Sequence, residues 1–112
     1  MSNGGEKKFW VNEIRVPNVG LIVAACDEEV LGKTLKKGSM DIYVSPRFYG
    51  GLLVDEDQLV TYLKRAHSIN LIGRNVVEVA ERLDLIHKDA KIFFRDNRGN
   101  HIPHAIMIKM EF

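Results

Sequence analysis

Read as apolar and polar positions, the chain falls into short runs with two different periods. "FWVNEIRV" (9–16) alternates loosely and predicts either an edge strand or an ordered arm, broken by Pro17-Asn18. "VGLIVAA" (19–25) is a near-continuous apolar run, the pattern of a central strand buried on both faces. Over 27–37 the pattern turns amphipathic. Asp27 is placed as a cap, Glu28 and Glu29 stand where a helix start favours acids, and Lys33, Lys36 and Lys37 stand where its end favours cations. With Gly38 as a stop, these letters predict a short helix, and Gly32 in its middle is the residue they leave over. "MDIYV" (40–44) reads as a strand closed by Ser45-Pro46, and "RFYGG" (47–51) as a turn.

The second half is more helical in pattern. Asp55 with Gln58 three residues on is a capping-box pair, and Leu59, Leu63 and Ala66 form the stripe of the helix it opens. "SINLIG" (68–73) is expected to continue or bend that helix, with Asn70 as a polar interruption and Gly73 as punctuation. "RNVVEVAERLDLI" (74–86) predicts a further helix with Val76, Val77, Ala80 and Leu83 on one face. "KIFFR" (91–95), the turn letters "DNRGN" (96–100) and the alternating "HAIMIKMEF" (104–112) predict a terminal antiparallel hairpin. The order is therefore β-α-β-α-α-β-β. It predicts an α+β fold, a two-layer sandwich with helices packed on one face of a mixed sheet. Residues 1–18 are expected to form an N-terminal tail or arm and 19–112 a single domain.

Composition narrows the class without naming a function. A chain of 112 residues with 46% hydrophobic and 28% charged content suits one soluble globular domain. The net charge of +1 gives no overall attraction to nucleic acid, so any basic face has to be made by folding. A single cysteine precludes an internal disulfide and suits a reducing cytoplasm. The N-terminal letters show no signal-peptide core, and no run approaches the ~20 apolar residues of a membrane span.

Several short constellations bear on chemistry. Gly32-Lys33-Thr34 ends like a phosphate-binding P-loop, but Asp27 stands where the first glycine belongs, followed by Glu28 and Glu29. Three carboxylates in that cradle would repel phosphate, so no nucleotide cofactor is expected. Cys26, at a strand end beside Asp27, would form a reactive thiol site if His104 lay near it. His101 and His104 with Cys26 or Asp27 make a sparse ligand set, and no metal is expected. "RFYGG" fits nucleic-acid contact better. Arg47 suits a phosphate, Phe48 or Tyr49 a base, and Gly50 and Gly51 allow close backbone approach. Lys36, Lys37, Lys64, Arg65, Arg74, Arg95 and Arg98 could join Lys33 in a basic face.

Four segments, taken together, resemble an archaeal family of domains of unknown function, the one numbered 424. They are Cys26-Asp27-x-Glu29-x-Leu31-Gly32-Lys33, then Tyr49-Gly50-Gly51, then Asn70-Leu71-x-Gly73, then Pro103-His104-Ala105. The resemblance covers about residues 19–112. It implies a compact α+β domain with a suspected connection to RNA or translation, and no activity. The expectation is a non-enzymatic RNA- or ribosome-associated protein, with Lys33 and Arg47 on phosphate, Tyr49 stacking, and Asn70 and His104 hydrogen-bonding beside Gly50, Gly51 and Gly73. The alternative is a small enzyme or ligand-binding protein using Cys26 and His104. A third expectation is a protein partner added along the C-terminal strand.

Overall fold

β-Structure takes more of the chain than its periodicity suggests. A computed structural model describes residues 6–109. Its strands are β1 (Phe9–Val16), β2 (Gly20–Asp27), β3 (Thr34–Lys37), β4 (Met40–Tyr43), β5 (Leu52–Val54), β6 (Ser68–Ile72), β7 (Ile92–Arg95) and β8 (His101–Ile108). Its helices are α1 (Pro46–Tyr49), α2 (Glu56–Arg65) and α3 (Arg74–Arg82). All eight strands join one open mixed sheet in the order β4-β3-β7-β8-β6-β2-β1-β5. Among the described residues only β2 and β6 run parallel, Ile22 opposite Ser68 through Cys26 opposite Ile72; the other pairings are antiparallel. The α+β class, the mixed sheet and the β7–β8 hairpin are as the sequence predicts. The element order is not.

The first correction is the helix expected over 27–37. The chain instead makes one 3-10 turn (Glu28–Val30) and enters β3. Gly32 sits at φ +83, outside the helical region, which explains the glycine the helix could not accommodate. Hydrogen bonds from Gly32 N to Val44 O (2.8 Å) and Val44 N to Lys33 O (2.9 Å) tie this turn to the end of β4. Charge matched to a helix dipole is worth ~0.3–1 kcal/mol per group, whereas burying Val30 and Leu35 is worth roughly 1.5–3 kcal/mol each. Val30 and Leu35 are both buried here, so packing outweighs the local charge pattern.

The second correction is "SINLIG", which is the central strand β6 and not a helix extension. Its apolar run is continuous because both faces are covered, a case where period does not separate strand from helix. Ile69 and Leu71 face one side, Asn70 and Ile72 the other. The third correction concerns the expected arm. β1 lies between β2 and β5 with Phe9 fully buried, so 9–16 is part of the sheet. Residues 1–5 of the expected tail, and Met110 to Phe112 of the expected last strand, lie outside the described residues.

Two apolar layers follow from strand alternation. Val11, Val23, Ala25, Ile69, Leu71 and Ala105 pack under Leu59 and Leu63 of α2 and Val76, Val77 and Ala80 of α3. The capping box holds as read: Gln58 N donates to Asp55 Oδ1 (2.9 Å) and Asp55 N to Gln58 Oε1 (3.1 Å). On the opposite face Ala24, Cys26 and Ile72 pack against Leu35, Val44, Tyr49, Phe94 and Ile102. The two longer helices thus share one face. The four-residue α1, where a plain turn was expected, packs on the other.

Candidate functional site

The parallel pair brings the carboxyl ends of β2 and β6 side by side, and α3 starts immediately after β6. Asp27 closes β2 and does cap a helix, but a distant one. Its Oδ2 accepts from Asn75 N (2.9 Å) and its Oδ1 from Val76 N (2.7 Å), satisfying two free donors at the start of α3. The carboxylate is 2% exposed. Burial pushes its pKa up to about 6, and the two backbone donors hold it back from rising further. Because the folded pKa lies above the unfolded value, Asp27 favours the folded state below about pH 4, and that contribution is lost as pH rises through 6. Between pH 4 and pH 7 the wild-type protein should lose on the order of 1–3 kcal/mol more stability than Asp27→Asn. Parallel urea titrations check this; superimposable pH profiles would refute it.

Two hollows meet around this strand end. One, of about 630 Å³, lies between α3 and the β7–β8 hairpin and is lined by Asp27, Asn75, Glu78, Glu81, Phe93 and His101, among others. The other, of about 820 Å³, is lined by Lys33, Thr34, Asn97, Arg98 and Ile102, among others. Glu29, Arg74 and Asn100 line both, so the hollows form one cleft around the end of the sheet. Their charge differs. The first sets Asp27, Glu29, Glu78 and Glu81 against Arg74 and Lys91. The second sets Lys33, Arg74 and Arg98 against Glu29 and Asp96. Asp96 is committed to its own turn. It accepts from Arg98 N (2.9 Å), Asn100 N (2.8 Å) and Asn100 Nδ2 (3.0 Å), and these contacts, Asn100 first, hold its pKa below the usual value. Lys36 pairs directly opposite Arg95 across β3 and β7, adding two cations near the same turn.

Of the residues singled out from the sequence, only some share this cleft. Lys33 lines the basic hollow and Asp27 the acidic one. Tyr49, Asn70 and His104 form a separate network on the sheet face opposite α2 and α3. Tyr49 Oη donates to Asn70 Oδ1 (2.6 Å), and His104 Nε2 lies 3.0 Å from the same oxygen, so His104 carries its proton on Nε2. Tyr49 is buried and its hydroxyl is spent on Asn70, so it does not offer the stacking surface expected of it. Its ring meets Phe48 edge-on, 4.8 Å between centroids. Arg47 is exposed on α1 and lines neither hollow.

The glycines expected to admit a ligand admit protein. A Cβ on Gly50 would lie 2.6 Å from Pro46 O, one on Gly51 2.6 Å from Val11 O, and one on Gly73 2.5 Å from Asp27 Cγ. The expected reactive thiol is also corrected. Cys26 is fully buried, and burial first, then the charges of Asp27 and Glu29, push its pKa up to about 12. His104 is turned to Asn70, and burial lowers its pKa. The C-terminal strand expected to take a protein partner is an edge over only part of its length. β8 is paired by β7 over His101–His104 and by β6 over His104–Ile108, leaving one side of 105–108 without a ladder partner among the described residues. Among the described residues no cluster of three His, Cys, Asp or Glu is arranged to hold a metal, and no helix is long and apolar enough to cross a membrane.

The sequence reading missed Asn75, Glu78 and Phe93. Phe93 carried a usable signal: in "FF" on a strand one ring must point away from the other, and Phe94 is the buried one.

An open mixed sheet with helices on both faces and a charged cleft at the ends of its parallel pair defines a small α+β domain. The chain belongs to the family described as "Protein of unknown function (DUF424)", whose model matches residues 14–110. A crystal structure of an uncharacterized conserved protein from Methanopyrus kandleri is similar, with a TM-score of 0.68 at 20% identity, covering 94% of this chain and 96% of that one. That likeness shows the fold. No curated protein matches the chain.

Proposed function

We propose that this protein binds RNA without acting on it, through the basic half of the cleft. The observation that supports this most is the convergence of Lys33, Arg74 and Arg98 on one open hollow, where they outnumber Glu29 and an Asp96 whose oxygens are held in a turn. The three cations come from the chain after β2, the start of α3 and the β7–β8 turn. Folding thus makes a basic surface that a net charge of +1 does not advertise. Phosphate contacts of this kind carry affinity and little sequence information. The enzyme reading lacks a nucleophile, since Cys26 is buried and protonated at neutral pH.

Fluorescence anisotropy with a labelled single-stranded RNA across a salt series tests the proposal. Three phosphate contacts predict a log–log salt slope of about −2 for a single strand. Arg74→Ala with Arg98→Ala should weaken binding at least ~10-fold and flatten the slope toward about −0.7, the value for one remaining contact. Binding that ignores both salt and the double substitution would overturn it.

A further inference from the structure

We infer that the acidic half of the cleft holds one unstacked base of that RNA, and that it prefers guanine. This rests on the RNA-binding reading above. Four observations support it. First, Phe93 is 46% exposed on a strand whose neighbour Phe94 is in the core, and it lines the hollow with His101, their ring centroids 6.2 Å apart. An exposed aromatic pair beside a cationic surface is the arrangement on which single-stranded bases stack. Second, the hollow, at about 630 Å³, falls in the ~300–1,000 Å³ range of small-ligand sites and has ample room for one base.

Third, its polar wall is specific. Asn75 and Glu78 are three residues apart on α3, so their side chains are neighbours one turn apart. Neither makes a side-chain hydrogen bond or ion pair among the described residues, and both line the hollow. Of the other carboxylates lining the hollow, Asp27 is engaged by two backbone donors and Glu81 by Lys91 Nζ at 2.7 Å; Glu29, outside α3 and shared with the basic half, is the other one without a side-chain partner among the described residues. A free carboxylate accepts only, so it selects a base edge with adjacent N–H donors. Guanine offers N1–H and the N2 amino group side by side for Glu78, and its O6 accepts from the Asn75 amide. Cytosine and adenine offer one amino group. Uracil, with two carbonyls flanking a single N–H, fits least. Fourth, Arg74 lines both hollows, so a nucleotide whose base sits on Phe93 places its phosphate toward the basic half.

The test uses labelled heptamers of uridine and the same heptamer with a central guanosine, adenosine or cytidine, each against wild type, Glu78→Gln and Phe93→Ala. A self-complementary duplex serves as control, and thermal melts confirm that the variants fold. The expected result is at least tenfold tighter binding of the guanosine heptamer than of the uridine one. Glu78→Gln should bring the two within about threefold. Phe93→Ala should weaken every single strand while leaving duplex binding unchanged. Equal wild-type affinity for all four heptamers, or a guanosine preference that survives Glu78→Gln, overturns this inference. It leaves RNA binding intact so long as the Arg74 and Arg98 substitutions still weaken it and flatten its salt dependence. Binding of no heptamer overturns both.

Discussion

Gly73→Ala is expected to destabilise the protein by on the order of 3 kcal/mol, from backbone strain plus a damaged cap. Gly73 holds φ +132 with ψ 148, a conformation L-residues rarely adopt. The added methyl would also lie 2.6 Å from Asp27 Oδ1 and 2.9 Å from its Cβ. The carboxylate cannot retreat without releasing the backbone N–H groups of Asn75 and Val76, and Val76 is fully buried. Equilibrium urea unfolding measures the loss. Asp27→Ala in the same background separates its two sources. With the carboxylate gone, the dihedral strain and the 2.9 Å approach to the Cβ of residue 27 remain, so the penalty of Gly73→Ala should shrink without vanishing. Strict additivity of the two substitutions would mean that the clash with the carboxylate contributes nothing.

The second large effect is expected at Asn70. Asn70→Ala removes the acceptor shared by Tyr49 Oη and His104 Nε2, leaving a hydroxyl without a partner on a residue only 5% exposed. An abandoned buried donor costs roughly 1–3 kcal/mol, so the total loss should be about 2–4 kcal/mol with the histidine included. Tyr49→Phe removes only one bond and should cost about 1 kcal/mol. The double variant should therefore lose less than the sum, with a coupling of ~0.5–3 kcal/mol. Losses that add to within a few tenths of a kcal/mol would show that the network does not act as a unit.

These two sites account for much of what the letters of the four family-like segments do. Asp27 with Gly73, Tyr49 with Asn70 and His104, and Gly51 against Val11 are contacts across the fold, while Gly50 closes α1 against Pro46. In a sequence they look like scattered polar and glycine residues, and so like a site. Of these letters, Lys33 and Glu29 reach the basic hollow, and Lys33 is the one cation. The cleft itself was only partly legible. Arg74 and Arg98 were visible as charges, but nothing in their spacing says that the start of α3 and the β7–β8 turn flank one opening. The terminal hairpin, the two longer helices and strand β2 were legible because each buries one consistent pattern. The 27–37 stretch misled because its dipole-matched charges are a local preference that the burial of Val30 and Leu35 overrides. "SINLIG" misled because a strand buried on both sides loses its alternation.

The single parallel pairing also bears on how the chain reaches this state. Ile22 and Ser68 sit opposite each other across β2 and β6 yet are far apart in the chain, and every element from the turn after β2 to α2 lies between them. β6 in turn needs β8, the last strand described. The apolar faces of β2 therefore have no lasting cover until nearly the whole chain is available. Folding should be governed by non-local contacts, slow for a domain of this length, and during synthesis it should wait for β8 to leave the ribosome.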